Sequence, residues 1–123
     1  MKGIILAAGR GSRLGAQTQN QPKCLLPLAG QSLLDWQIAA LRRAQIGPIA
    51  LVTGYCADQL VGRADCEFVN ADWAQTNMVA SLLCANEWLV QQPCIVSYSD
   101  IVYHPRIVSA LASMAGEIVI AYD

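Results

Sequence analysis

Gly9-Arg10-Gly11-Ser12-Arg13-Leu14-Gly15 puts three glycines and two arginines within one short stretch. Glycines let a backbone curl until several N–H groups point at one centre, and guanidinium groups add charge-assisted hydrogen bonds. The chemistry such a loop can do is to hold an anion. Its surroundings agree: Lys2, Arg10, Arg13 and Lys23 are half of the eight basic residues, and no Asp or Glu precedes Asp35. An unbalanced positive segment in a chain of net charge −1 is suited to a small polyanion. Two further groups stand out. Lys23 lies between Pro22 and an apolar run, and Asp100 directly follows the apolar stretch Cys94–Tyr98 and Ser99. Each has a plain alternative: Arg13 as a surface arginine, Lys23 as a solvated lysine, Asp100 as the cap of a turn.

Three kinds of phosphate loop begin in this way. A P-loop requires Gly-Lys-Ser/Thr directly before its helix, which is absent here. A dinucleotide fingerprint requires a third glycine where Leu14 stands and an acid closing the second strand, which here reads Val52-Thr53-Gly54-Tyr55. Both readings lose, and an NAD-dependent oxidoreductase is disfavoured with them.

The elements that must position these groups alternate between apolar runs and helix-period segments, the pattern of βαβ units on a parallel sheet. Lys2–Ala7 reads as strand one, followed by a Gly-, Gln- and Asn-rich stretch, residues 8–21, without periodicity. Gln31–Ala44 reads as a helix capped by Ser32, with Asp35 three residues on and Leu34, Ile38 and Leu41 as its buried stripe. Ile49–Thr53 is strand two, Gly54–Gly62 a short helix or turn, and Cys66–Val69 strand three. Asn77–Gln91 reads as one long helix with Met78, Leu82 and Leu89 on one face, and Cys94–Tyr98 as strand four. His104-Pro105 opens a helix to about Ala115, His104 serving a structural or surface role, and Glu117–Tyr122 reads as strand five. The expected fold is α/β: a three-layer α/β/α sandwich on a mostly parallel, doubly wound, Rossmann-like sheet, cut off after strand five. Ligands of such sheets bind beyond the carboxyl ends of the strands, near a switch in strand order. Residues just after strands one, two and four are therefore the ones to inspect.

Composition narrows the class. Hydrophobic residues make up 54% and charged ones 14% of 123 residues, which suits one domain with a sheet buried on both faces and excludes disorder. No apolar run reaches the roughly 18–20 residues of a membrane span, and the charge gives no case for nucleic acid. Five cysteines, an odd count without C-x-x-C spacing, suit free thiols in a reducing cytoplasm. Trp36, Trp73 and Trp88 read as packing residues, Trp73 in a loop that could border a pocket.

Leu6-Ala7-Ala8-Gly9-Arg10-Gly11-Ser12-Arg13-Leu14 with Pro22-Lys23 resembles the signature of nucleotidyltransferases, L-A-A-G-x-G-[ST]-R-[LM] and then P-K. Lys23-Cys24-Leu25-Leu26-Pro27-Leu28, Gly30 and Leu33-Leu34 are similar to the run that follows it in sugar-1-phosphate and phosphocholine nucleotidyltransferases. The ten-residue step from Arg13 to Lys23 fits those enzymes, whereas molybdenum-cofactor guanylyltransferases use a shorter one. The resemblance extends to Val52–Tyr55, Thr76–Leu82 and Tyr98–Asp100, and so covers essentially the whole chain. Asn77-Met78-x-x-Ser81-Leu82 looks most like the phosphocholine cytidylyltransferase branch.

The resemblance implies an enzyme that joins an NTP, CTP favoured, to a small phosphorylated acceptor and releases pyrophosphate. The acceptor it suggests is a phosphocholine-like alcohol phosphate or, second, a sugar 1-phosphate. It implies that Arg13 and Lys23 are catalytic, Arg13 on the triphosphate and Lys23 on the α-phosphate and acceptor phosphate. Leu6, Ala7, Ala8, Gly9, Gly11 and Ser12 would hold the nucleotide, with Asn77 and Ser81 near the base. Asp100 would bind Mg²⁺. Residues 1–123 would be the nucleotide-binding part of a single domain, since the family takes a second metal carboxylate and most of its acceptor pocket from a later region. The rival expectation is a nucleotide-binding module without turnover.

Overall fold

A computed structural model describes residues 1–122. Four parallel strands form the central sheet: β1 (Lys2–Ala7), β4 (Ile49–Thr53), β5 (Cys66–Val69) and β6 (Cys94–Tyr98), in the order β5-β4-β1-β6. All four have the bounds expected from their apolar runs. Both faces are buried, because consecutive residues of β1 and β4 go to different cores. Ile5 and Leu51 join Leu34 and Leu41 of helix α1 (Leu33–Arg43) and Val108 of α4 (Pro105–Ser113). Ile4, Ala50 and Val52 join Ala85 and Trp88 on the opposite face, under α2 (Met78–Leu83) and α3 (Asn86–Leu89). Ile4, Ile5, Ile49, Leu51 and Val52 are fully enclosed, each worth about 1.5–3 kcal/mol of burial. The result is a three-layer α/β/α sandwich with the strand order reversing at β1: β4 and β5 lie to one side and β6 to the other.

The caps act as their residue types dictate. The Ser32 hydroxyl accepts from the Asp35 N–H at 3.1 Å, and His104 Nδ1 accepts from the Arg106 N–H at 3.1 Å ahead of Pro105. Residues 57–60 form the short 3₁₀ turn expected between β4 and β5.

Three expectations are corrected. Gln31 and Ser32 are not helical: they form strand β3 (Gln31–Ser32) of a small hairpin with β2 (Pro27–Leu28), turning through Ala29 and Gly30 at φ of 49° and 89°. Positive φ at both loop residues is what a tight two-residue hairpin needs. The long helix 77–91 is interrupted at Ala85, whose φ of −97° and ψ of 19° leave the helical basin, and α2 and α3 result. Met78, at the start of α2, is exposed, while Leu82 and Leu89 pack against the core. Finally, Glu117–Tyr122 forms no strand. A β-branched run becomes a strand only against a partner that takes its hydrogen bonds, and this one pairs with none, leaving Ile118, Ile120 and Tyr122 in solvent.

Candidate functional site

Two adjoining clefts open at the carboxyl ends of β1 and β6, beside the reversal of strand order. The larger, of about 850 Å³, is lined by Gly11, Arg13, Leu14, Gln17, Lys23, the hairpin residues Leu26 to Leu28, Leu33 and Asp100. The smaller, of about 340 Å³, is lined by Leu6, Ala8, Lys23, Met78, Ser81, Tyr98, Ser99 and Asp100. Lys23 and Asp100 belong to both and mark the junction.

The loop after β1 carries this geometry. Gly11 stands at φ 68° as the chain enters 3₁₀ turns over residues 12–18. A Cβ there would also lie 2.9 Å from Lys23 Cδ, so the absence of a side chain lets the lysine stem pass against the loop. Lys23 is carried by its own 3₁₀ turn, whose neighbour Cys24 is fully buried. Burial pushes the Cys24 thiol up to about 11, so it serves packing rather than reactivity. The Lys23 ammonium reaches across to Asp100 Oδ2 at 2.9 Å, both side chains partly open to solvent. An ammonium and a carboxylate in one accessible cleft can each be turned to a ligand of opposite charge.

The remaining walls are tied down from the segments that follow β4, β5 and β6. The Tyr55 N–H donates to the Ala8 carbonyl at 2.9 Å, the Ser99 N–H to Leu6 O at 3.2 Å, and the Gln59 side chain to Asn20 O at 2.6 Å. Gly54 is pressed between Trp73 and Ala8, and a Cβ there would lie 2.6 Å from Trp73 Cβ and 2.8 Å from Ala8 O. Buried Asn70, beyond the end of β5, donates to Thr76 Oγ1 at 2.9 Å and to Ser81 Oγ at 3.0 Å while accepting from the Asp72 N–H.

Of the residues singled out above, Leu6, Ala8, Gly11, Arg13, Lys23, Ser81 and Asp100 are brought around the two clefts. Ala7 is buried beneath them, and Gly9 and Ser12 are exposed on the loop. Asn77 lines neither cleft: its side-chain oxygen accepts from the N–H groups of Val79 and Ala80 and is occupied as a helix cap. Lys2 lies at the opposite end of β1, donating to Gln91 and resting over Trp88, so the basic segment is not one cluster. Trp73 packs against Gly54 and meets the Tyr55 ring edge-on, and it lines neither cleft. Gly54 and Tyr55, part of the resemblance, were given no role at the site, and Thr18 and Asn70 were not singled out. Only Gly54-Tyr55, directly after a strand at the ligand end of the sheet, carried a local signal.

The donor set can be tested against Mg²⁺. A hard cation takes carboxylate and phosphate oxygens, and one or two protein carboxylates usually suffice alongside substrate phosphates and water. Asp100 offers one accessible carboxylate in the cleft. Among the described residues no cluster of three or more metal-binding side chains exists. The residues fit a cation shared with a phosphate ligand and do not form a closed protein cage.

A family model described as "MobA-like NTP transferase domain" matches residues 3–122. The chain is 39% identical to CTP:phosphoglutamine cytidylyltransferase of Campylobacter jejuni, over 100% of this chain and 53% of that protein. It is 35% identical to choline-phosphate cytidylyltransferase of Haemophilus influenzae, over 87% of this chain and 47% of that protein. Among solved structures, CTP:phosphocholine cytidylyltransferase from Streptococcus pneumoniae superposes with a TM-score of 0.75 at 29% identity, covering 85% of this chain and 49% of that one. The chain thus spans about half the length of these relatives.

Proposed function

The chain belongs to the MobA-like NTP transferase domain family, and on that premise we propose that it is the nucleotide-binding part of a nucleotidyltransferase. The reaction condenses an NTP, CTP first, with a small phosphorylated acceptor and releases pyrophosphate. The observation that carries this reading is the junction of two clefts at the Lys23–Asp100 pair, beside the glycine-rich loop. A nucleoside in the smaller cleft, near Leu6, Ala8 and Ser81, would leave its phosphates at that junction. The larger cleft, with Gly11 and Arg13, then has room for the rest of the triphosphate or for the acceptor. CTP is favoured because the similar proteins named above are cytidylyltransferases. Their names make phosphocholine and phosphoglutamine the first acceptors to try.

The chemistry follows from charge. A phosphate oxygen of the acceptor attacks the α-phosphorus in line, forming one P–O bond, while the bond to the β-phosphate oxygen breaks and pyrophosphate leaves. Both reactants are anions, so catalysis consists mostly of positioning and neutralisation. Arg13 would hold the triphosphate through its planar fork of donors. Lys23, a compact charge on a flexible stem, would follow the charge developing around the α-phosphate. Asp100 would hold Mg²⁺, whose chemistry when bound is to neutralise phosphate oxygens. The apolar rim of Leu26, Pro27 and Leu28 would limit water at the reacting phosphate.

Pyrophosphate release tests this, measured for the protein with CTP, UTP, GTP or dTTP against phosphocholine, phosphoglutamine and a sugar 1-phosphate, each with Mg²⁺. One strongly preferred pair is expected, with CTP as the nucleotide. Binding of NTP without release in any combination would leave a nucleotide-binding module in place of an enzyme.

A further inference from the structure

Tyr55 holds the glycine-rich loop at both of its ends. Its backbone N–H donates to Ala8 O at 2.9 Å, where the loop leaves β1. Its hydroxyl lies 2.6 Å from the carbonyl oxygens of both Thr18 and Gln19, where the loop closes. Thr18 is fully buried and carries the tie inward, its own hydroxyl donating to Gly11 O at 3.1 Å. One side chain therefore joins the start, the finish and, through Thr18, the middle of the loop. The ring itself is fixed from the side by Trp73, edge-on with centroids 5.2 Å apart, so the hydroxyl is presented at a set height. Neither Tyr55 nor Thr18 lines either of the two clefts, so their bonds to the loop, rather than contact with a ligand held there, are what the arrangement provides.

We propose that Tyr55 is a positioning residue that keeps the loop in the one shape in which Gly11 and Arg13 face a polyphosphate. The proposal deepens the nucleotidyltransferase reading and rests on it. A loop of this length without regular strands or long helices has many shapes of similar energy, and ordering it on binding would cost affinity. Closing it beforehand through the Tyr55 hydroxyl places that cost in folding, so the N–H groups and the Arg13 guanidinium are already aimed when the ligand arrives. Only binding energy drawn from the β- and γ-phosphates depends on this. Energy drawn from the nucleoside, held by Leu6 and Ser81 on β1 and α2, does not.

That asymmetry supplies the test. Tyr55→Phe keeps the ring and its contact with Trp73 and removes only the hydroxyl. Affinities of CTP and CMP, each with Mg²⁺, are measured by calorimetry on wild type and variant, together with thermal unfolding. The expected result is a loss of roughly five- to tenfold for CTP, the size of one hydrogen bond's net worth, with CMP affinity unchanged within twofold (about the error of such a comparison). Equal losses for CTP and CMP with a lowered Tm would make Tyr55 a packing residue and overturn the proposal. So would unchanged CTP affinity in the variant, with the nucleotide reading left standing. A wild type that binds no CTP would remove that reading itself, and the proposal with it.

Discussion

Gly54→Ala is expected to damage both the fold and the site, because the glycine lies where β4 hands the chain to the loop wall. The added carbon would stand 2.6 Å from Trp73 Cβ, 2.8 Å from Trp73 Cγ and 2.8 Å from Ala8 O. Carbon atoms rest at about 3.5–4.0 Å, so roughly 1 Å of overlap must be relieved. Neither neighbour yields easily. Trp73 Cβ is the root of its side chain and cannot rotate away, and Ala8 O is held by the Tyr55 N–H at 2.9 Å. Overpacking costs about 1–3 kcal/mol, and two fixed obstacles put this case in the upper half, about 2–3 kcal/mol. For a domain of this size that lowers Tm on the order of 10 °C. Relief by moving Ala8 would shift the start of the glycine-rich loop, so NTP affinity should fall as well. Thermal unfolding and calorimetry with CTP and Mg²⁺ read the two effects. A variant with wild-type Tm and wild-type affinity would refute the packing argument.

Gly9→Ala provides the contrast: its Cβ would meet nothing within 4 Å and its φ is not positive, so stability should hold or rise by about 0.4–1 kcal/mol. NTP affinity should nevertheless drop if the proposed backbone contact of Gly9 with the nucleotide holds; calorimetry beside thermal unfolding checks both. Asp100→Asn removes a partly exposed ion pair with Lys23, so stability should change by no more than about 1 kcal/mol. Its Mg²⁺ requirement for NTP binding should rise, whereas a lowered Tm with an unchanged requirement would make Asp100 structural. Asp65 accepts from the Ile49 N–H at 2.8 Å and from Arg42 at 3.0 Å, and these bonds hold its carboxyl below the ordinary range. A depressed folded value means stability that is present above the unfolded value and lost as pH falls through the folded one. Asp65→Asn should therefore unfold more easily than wild type at neutral pH, with the gap closing in acid; a gap independent of pH would contradict this.

The four sheet strands were legible to the residue because each is a short apolar run stopped by Gly, Pro, Asn or Ser, and burial on both faces leaves few other readings. The loop, Arg13, Lys23 and Asp100 were legible as residue types at strand ends. What escaped depends on contacts remote in sequence. Nothing local marks Ala85 as a break, which appears only where α3 brings Trp88 onto Ile4 and Val52. Asn77 was expected near the base, and its side-chain oxygen is bonded to the N–H groups of Val79 and Ala80 as a helix cap, a pairing that residue type alone leaves open. Lys2 counted toward a positive cluster by proximity in the chain, but β1 carries it to the far end of the sheet from Arg13. Glu117–Tyr122 has the composition of a strand, and composition cannot supply the neighbour that a strand needs. Asn70 and Thr18 act through hydrogen bonds to residues that no periodicity connects.

Calorimetric titration of the protein with CTP, with and without Mg²⁺, set beside NAD and repeated on Arg13→Ala, most directly tests the claim that the cleft beside the glycine-rich loop is a triphosphate site. One CTP per chain is expected, bound more tightly with Mg²⁺ and weakened roughly ten- to a hundredfold by loss of the guanidinium, with no binding of NAD. Binding of NAD in place of CTP, or CTP affinity indifferent to both Mg²⁺ and Arg13, would contradict it.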